Sequence, residues 1–195
     1  MDDGYYDALA RASDRARRVG WESVARQHLR FEAVRAALRP GEAVLDLGAG
    51  LGDLGRYLLE RGHDGAYLGV ERDPSLVASA RGISPAVAVE LGDLFACDRR
   101  APVVAAIGTL VDGASLRSDA TRFGRLRRLF EVVRGAATRL GVIVVARQEA
   151  LEARPALAAD PALGGMRRAE LAWLAPDAEL EELTDVDWVV RLPGG

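Results

Sequence analysis

No stretch constrains this chain as tightly as residues 43–54, which read Ala43-Val44-Leu45-Asp46-Leu47-Gly48-Ala49-Gly50-Leu51-Gly52-Asp53-Leu54. Three strand-like residues run into an acid. Glycines follow at alternate positions, Gly48, Gly50 and Gly52, and a helical apolar pattern through Leu51, Leu54 and Leu58 starts beside them. That is a strand that stops, a backbone stripped of side chains, and a helix N-terminus. Such a turn lets a nucleotide-like ligand lie directly against the main chain.

The chain around it alternates strands and helices. Helical spacing predicts one helix over residues 4–19 and a second over about 22–38, the latter with Val24, His28, Phe31, Val34 and Leu38 on one face. Strands are expected at 42–47, 66–71, 87–91, 102–107 and 141–146. Asp73-Pro74 reads as the start of the helix after the second strand, acid at the cap and proline at the first position. A long helix is expected over 119–140, its buried stripe formed by Phe123, Leu126, Phe130, Val133, Ala137 and Leu140. Arg122, Arg125, Arg127, Arg128, Arg134 and Arg139 fall largely off that stripe and read as a solvated face. In the tail, 147–166 reads as a broken helix, 168–174 as a strand, 176–183 as a short helix and 186–192 as a strand. No long closing hairpin is expected, so the last sheet edge is short or covered by a second copy, which predicts a homodimer.

This alternation implies an α/β fold with a mainly parallel sheet covered by helices on both faces. Ligands in such sheets bind at the carboxyl ends of the strands. With 195 residues the expectation is one domain: a helical cap over 1–40, a ligand-binding core over 41–146 and a C-terminal part of the sheet over 147–195. No apolar run approaches a bilayer span and Met1-Asp2-Asp3 is wrong for a signal peptide, so a cytoplasmic location without membrane contact is expected. Cys97 is the single cysteine, which excludes an internal disulfide and argues against a zinc cluster. A net charge of −3 gives no general pull towards nucleic acid. All 26 basic residues are arginine, so Schiff-base chemistry and the lysine of a phosphate-binding P-loop are excluded.

Three signals narrow the ligand. The dinucleotide fingerprint Gly-x-Gly-x-x-Gly fails here, because Asp53 stands where its third glycine belongs and Gly52 comes one residue early. A pyrophosphate at this turn would face Asp46 and Asp53, whereas a ligand carrying an ammonium and a sulfonium would find them favourable. Glu71, at the end of the second strand, suits both hydroxyls of a ribose. Gly92-Asp93-Leu94, ending the third strand, offers an acceptor for an adenine amino group and an amide from Leu94.

On these residues the sequence resembles the class I S-adenosylmethionine-dependent methyltransferases. Residues Val44 to Gly52 are similar to the first motif of that superfamily, Gly69-Val70-Glu71-Arg72-Asp73-Pro74 to its second, and Gly92-Asp93-Leu94 to its third. The resemblance implies a Rossmann-like, doubly wound fold and S-adenosylmethionine as cofactor, with S-adenosylhomocysteine as product. It implies cofactor contacts from Asp46, Gly48, Ala49, Gly50, Gly52, Asp53, Leu54, Glu71, Arg72, Gly92, Asp93 and Leu94, and from Ile107 and Gly108 where the fourth strand ends. A narrower resemblance, through Gly20-Trp21-Glu22-Ser23, Gln27 and Leu29-Arg30-Phe31-Glu32, is to small bacterial methyltransferases. It implies that this helix closes over the cofactor. Gln27 then joins the cofactor site, and Arg30 either pairs with the methionine carboxylate or is a surface arginine. Trp21 either walls the acceptor pocket or staples the helix to the core, with Tyr5 and Thr109 the other pocket candidates.

A sulfonium is already activated, so methyl transfer needs mainly in-line placement and water exclusion, and a base only if the acceptor loses a proton. No strong catalytic signature is therefore expected, and His28, Asp112 and Tyr6 are candidates by position alone. The Asn/Asp-Pro-Pro-aromatic motif of amino-group methylators is absent, since the fourth strand runs into Gly108-Thr109-Leu110. The expected function is methyl transfer to a small molecule. The alternatives are a protein that binds S-adenosylmethionine without transferring methyl groups and, disfavoured by the glycine spacing, a nicotinamide-dependent oxidoreductase.

Overall fold

The computed structural model describes residues 23–109, 119–154 and 165–195. The expected helix over 4–19, and the candidates Tyr5, Tyr6, Trp21 and Asp112, lie outside them. In chain order the elements are α1 (Val24–Arg35), β1 (Val44–Leu47), α2 (Asp53–Glu60), β2 (Tyr67–Glu71), α3 (Pro74–Ile83), β3 (Ala88–Leu91), a 3-10 turn (Leu94–Ala96), β4 (Ala101–Ile107), α4 (Asp119–Ala136), β5 (Ala137–Arg147), α5 (Gln148–Glu152), β6 (Gly165–Met166), α6 (Arg168–Leu174), β7 (Glu179–Glu182) and β8 (Asp187–Pro193).

The strands form one sheet in the order β3-β2-β1-β4-β5-β8-β7, with β6 pairing along the end of β5. β1 to β5 are mutually parallel, and β8 runs antiparallel between β5 and β7. Period-two alternation sends successive side chains to opposite faces. Val103, Ala105 and Ile107 of β4, with Val142 and Val144 of β5, bury against Phe31, Val34, Leu54, Tyr57 and Leu58 of α1 and α2. Val104, Ala106, Ile143 and Val145 face the other way, onto Leu126, Leu129, Phe130 and Val133 of α4 and Leu171 of α6. Both faces of the central strands are therefore dry, which is why these strands read as unbroken apolar runs. Asp73 caps α3 as expected, accepting from the Ser75 and Leu76 amides at 2.7 and 3.3 Å.

The C-terminal part departs from expectation at four places, one being Gly165–Met166, which is strand β6 beside β5 and not the end of a broken helix. Residues 137–140 are strand, not helix: Ala137 pairs with Ala101, and Gly194 donates to Arg139 O at 2.8 Å, so sheet partners on both sides overrule the helical spacing. In α4 Leu129 and Ala136 join Leu126, Phe130 and Val133 in the buried stripe, Ala137 is buried from β5, and Phe123 is half-buried against the Trp173 ring at 5.3 Å. Residues 168–174 are helix, not strand. The Glu170 side chain returns to the Arg167 amide at 2.7 Å, a capping box whose N-cap is arginine instead of serine or threonine, which conceals the signal. Residues 179–182 are strand, not helix. Glu179, Glu181 and Glu182 are poor strand formers, but Arg191 across the hairpin pairs with Glu181 at 2.7 Å and Glu179 at 3.9 Å.

The chain's own β7–β8 hairpin thus occupies the edge that the sequence leaves open, and the expected dimer loses that ground. The arginine run is likewise not a free basic face. Arg122 is buried, donating to Glu170 and to Gly165 O, Arg134 pairs with Asp177 at 2.7 Å, and Arg139 pairs with Glu42.

In α1 the buried face is Gln27, Arg30, Phe31, Ala33 and Val34, and Val24 is 44% exposed. Apolar spacing finds Phe31 and Val34 on this face and passes over Gln27 and Arg30, polar groups buried with partners. No described helix is long and apolar enough to cross a membrane.

Candidate functional site

A cleft of about 170 Å³ opens at the carboxyl ends of β1, β2, β3 and β4. Its floor is the glycine turn. Gly48, Gly50 and Gly52 have φ of 81°, 56° and 70°, a region open to glycine at no steric cost. The Gly48 and Ala49 amides both donate to Val70 O, at 2.8 and 3.1 Å, which ends β1 and folds the turn back over β2. A Cβ at Gly48 would collide with the Thr109 methyl, so the turn and the end of β4 touch backbone to side chain.

Glu71 is 8% exposed at the end of β2. The Gly50 amide donates to its Oε2 and the Asp73 amide to its Oε1, both at 2.9 Å. Two backbone donors from two turns lock the carboxylate, and each oxygen keeps a second acceptor site. Asp46 is 4% exposed and accepts from the Tyr67 hydroxyl at 2.6 Å. Burial pushes its carboxyl up to about 7 and the Glu71 charge adds to this, while the Tyr67 bond opposes both. Asp53, in the first turn of α2, accepts from Gln27 Nε2 at 3.3 Å and forms an ion pair with Arg56. Asp93 turns the chain after β3, its Oδ1 accepting from the Phe95 amide at 2.9 Å.

The cleft brings together Asp46, Gly48, Ala49, Gly50, Asp53 and Leu54 from the first motif, Glu71 and Arg72 from the second, and Gly92, Asp93 and Leu94 from the third. Ile107, Gly108 and Thr109 close it from β4, and Gln27 from α1. Gly52 does not line it. Gly52 is the left-handed N-cap of α2, where an added Cβ would lie 3.0 Å from both Val87 and Val89.

Arg30 is not in the cleft either. It forms a buried ion pair with Asp187 at 2.5 Å and donates to Arg26 O at 2.7 Å, so the pairing with a methionine carboxylate gives way to a bond within the chain. His28 is half-buried outside the cleft, its ring 4.9 Å from that of Tyr57 and 6.2 Å from that of Phe31.

Phe31, Val70, Leu76, Phe95 and Arg125 line the cleft without having been expected there. Phe31 sits one turn after Gln27 and Phe95 directly follows the third motif, so both had a local signal. Arg125 had none, because only the packing of α4 brings it to this edge. Among the described residues no group of His, Cys, Asp and Glu could hold a metal ion.

Solved structures share this fold. A protein from Pyrococcus horikoshii superposes with a TM-score of 0.72 at 15% identity, over 98% of this chain and 99% of that one. The magnesium protoporphyrin IX methyltransferase from Synechocystis, solved with bound SAH, superposes at 0.66 and 15% identity, over 100% of this chain and 96% of that one. The CcbJ methyltransferase from Streptomyces caelestis gives 0.62 at 17% identity, over 98% and 96%. The chain has the class I S-adenosylmethionine-dependent methyltransferase fold, an α/β Rossmann-like architecture. No family model and no curated protein matches it.

Proposed function

We propose that this protein binds S-adenosylmethionine in the cleft and transfers its methyl group to a small-molecule acceptor by in-line displacement. The observation that carries the proposal is the Glu71 carboxylate, buried and held by the Gly50 and Asp73 amides beside a side-chain-free turn. A carboxylate so fixed is an acceptor for a pair of ribose hydroxyls. The rest of the cleft fits the same ligand. Asp93 and the Leu94 amide stand at the end of β3 for an adenine, and the acids Asp46 and Asp53 suit a cationic amino-acid end. The positive φ of Gly48 and Gly50 keeps side chains out of the space between.

When bound, the cofactor supplies an electrophilic methyl group on a sulfonium. The chain's own part is to place that group and exclude water. Gln27 and Phe31 of α1 cover the cleft from one side, and Gly108 and Thr109 bound it at the end of β4. No histidine lines the cleft among the described residues, which suits an acceptor that needs no strong base. Two features support a small acceptor: the missing Asn/Asp-Pro-Pro motif, and neighbours whose names specify small molecules, among them magnesium protoporphyrin IX and N-acetylserotonin.

Calorimetry with S-adenosylmethionine and with NAD decides the ligand. Binding of the first alone is expected, and binding of NAD alone would overturn the proposal. Incubation of the protein with methyl-labelled S-adenosylmethionine and a metabolite extract, followed by mass spectrometry, is expected to yield a labelled small molecule. Binding with no label transferred to any acceptor would leave a protein that binds the cofactor without methyl transfer.

A further inference from the structure

Asp46 is the most buried acid of the cleft, and its partner is a residue that does not line the cleft. Tyr67 opens β2, and Gly69, two residues on, has no side chain to block the same face of the strand. A Cβ at Gly69 would lie 3.2 Å from the Tyr67 hydroxyl, and one at Gly55 only 2.6 Å from the Tyr67 ring. The two glycines therefore open a slot in which the tyrosine lies between β2 and α2, and its hydroxyl reaches Asp46 Oδ2 at 2.6 Å.

The Gly55 backbone N–H faces the same hydroxyl. Gly55 is the third residue of α2, so its N–H is one of those that a helix start leaves without an intrahelical acceptor. The amide can only donate, and the hydroxyl has a single proton. The relay runs one way: the Gly55 N–H faces Tyr67 Oη, and the Tyr67 O–H donates to Asp46 Oδ2.

The charged groups around this relay are Glu71 on β2, which opposes ionisation of Asp46, and Arg56 and Asp53 in the first turns of α2, which pair with each other. Tyr67 is thus the group given to Asp46 that favours its charged form.

We propose that Tyr67 is a positioning residue for the cofactor site: its hydroxyl, held in the slot between Gly55 and Gly69, aims the Asp46 carboxylate beneath the glycine turn and favours its charged form. The ring alone would fill the slot; the hydroxyl is what the site uses. The ligand arm of the test rests on the reading of the cleft as an S-adenosylmethionine site, and the other arm does not.

The test variant is Tyr67→Phe, which keeps the ring and removes the hydroxyl. In the ligand-free arm, the Asp46 side-chain carboxyl is titrated by 13C NMR in the full-length protein and in the variant. Loss of a hydrogen bond to a charged group raises the midpoint by about one pH unit. An unchanged midpoint overturns the proposal. In the ligand arm, S-adenosylmethionine is titrated calorimetrically between about pH 6 and about pH 9, bracketing the Asp46 titration. The variant is expected to bind about tenfold more weakly below the midpoint, with the difference closing at high pH. A loss of affinity equal at every pH overturns the proposal, because that is the mark of a packing defect alone. Absence of binding by the unmutated protein refutes the functional reading, while the NMR arm still decides the role of Tyr67. If Tyr67→Phe does not fold, the Tyr67 13Cζ shift of the unmutated protein is followed over the same pH range instead: it is expected to move with the Asp46 midpoint, because the hydroxyl donates to that carboxylate, and a shift that does not move overturns the proposal.

Discussion

Removing the Arg30 guanidinium tests how α1 is held over the cleft. Arg30 and Asp187 meet at 2.5 Å with side chains 8% and 7% exposed. At that separation, with an effective dielectric constant of about 20, their attraction is roughly 7 kcal/mol before the cost of desolvating both ions, which is several kcal/mol each. The net worth of the pair is therefore small, but an orphaned partner is expensive. In Arg30→Ala the Asp187 carboxylate stays buried with the Thr184 hydroxyl as its remaining donor, at 2.7 Å. The expected cost is about 3–5 kcal/mol, towards the lower end because of that hydroxyl.

Asp187→Ala should cost a similar amount, since the buried Arg30 guanidinium then loses the carboxylate it pairs with. The double variant Arg30→Met/Asp187→Leu, which buries apolar groups of like volume, should fall within about 1 kcal/mol of the unmutated protein. Urea unfolding followed by circular dichroism measures all three. A single variant costing under about 1 kcal/mol, or a double variant costing the sum of the singles, would refute the reasoning.

Three further outcomes follow from the cleft. Gly48→Ala places a β-carbon at φ 81° and against the Thr109 methyl, and is expected to lower the melting temperature by at least the equivalent of about 1–2 kcal/mol of backbone strain. Adding Thr109→Gly should recover the collision but not the strain. Glu71→Ala leaves the Gly50 and Asp73 amides and the ribose hydroxyls without an acceptor and should weaken S-adenosylmethionine binding roughly 5- to 150-fold by calorimetry, whereas unchanged affinity would remove Glu71 from the site. Asp46 has its carboxyl raised from 3.8 to about 7, so the folded state binds more protons than the unfolded one between those values and stability is lost as pH rises through that window. Asp46→Asn should flatten this decline, unfolding at higher urea than the unmutated protein at alkaline pH while binding the cofactor less well.

The cleft was legible in sequence where its residues are contiguous. Strand end, glycine turn and helix start lie within residues 44–54, and their conformations follow from local sterics that one sequence reports directly. Glu71 and Gly92-Asp93-Leu94 were legible for a related reason, since parallel strands end at a common edge and acids or glycines there mark it. Arg30 was not. A buried arginine and a surface arginine look alike until the carboxylate 157 residues away is placed beside it. Arg125 and Tyr67 were hidden for the same reason, the one brought to the cleft by the packing of α4 and the other by the slot between Gly55 and Gly69.

The tail shows the division most sharply. Residues 168–174 and 179–182 exchange their expected states because local propensity was the only guide to them. One is decided by a capping box with an arginine N-cap and the other by ion pairs across a hairpin. By itself the sequence determined the α/β alternation, the glycine turn and the acids at the strand ends, because these depend on interactions within a few residues. Only the tertiary structure decided what closes the sheet, where each buried arginine finds its carboxylate, and which hydroxyl holds Asp46. Those depend on groups far apart in the chain, and burial without a partner would cost each of them more than local preference can offset.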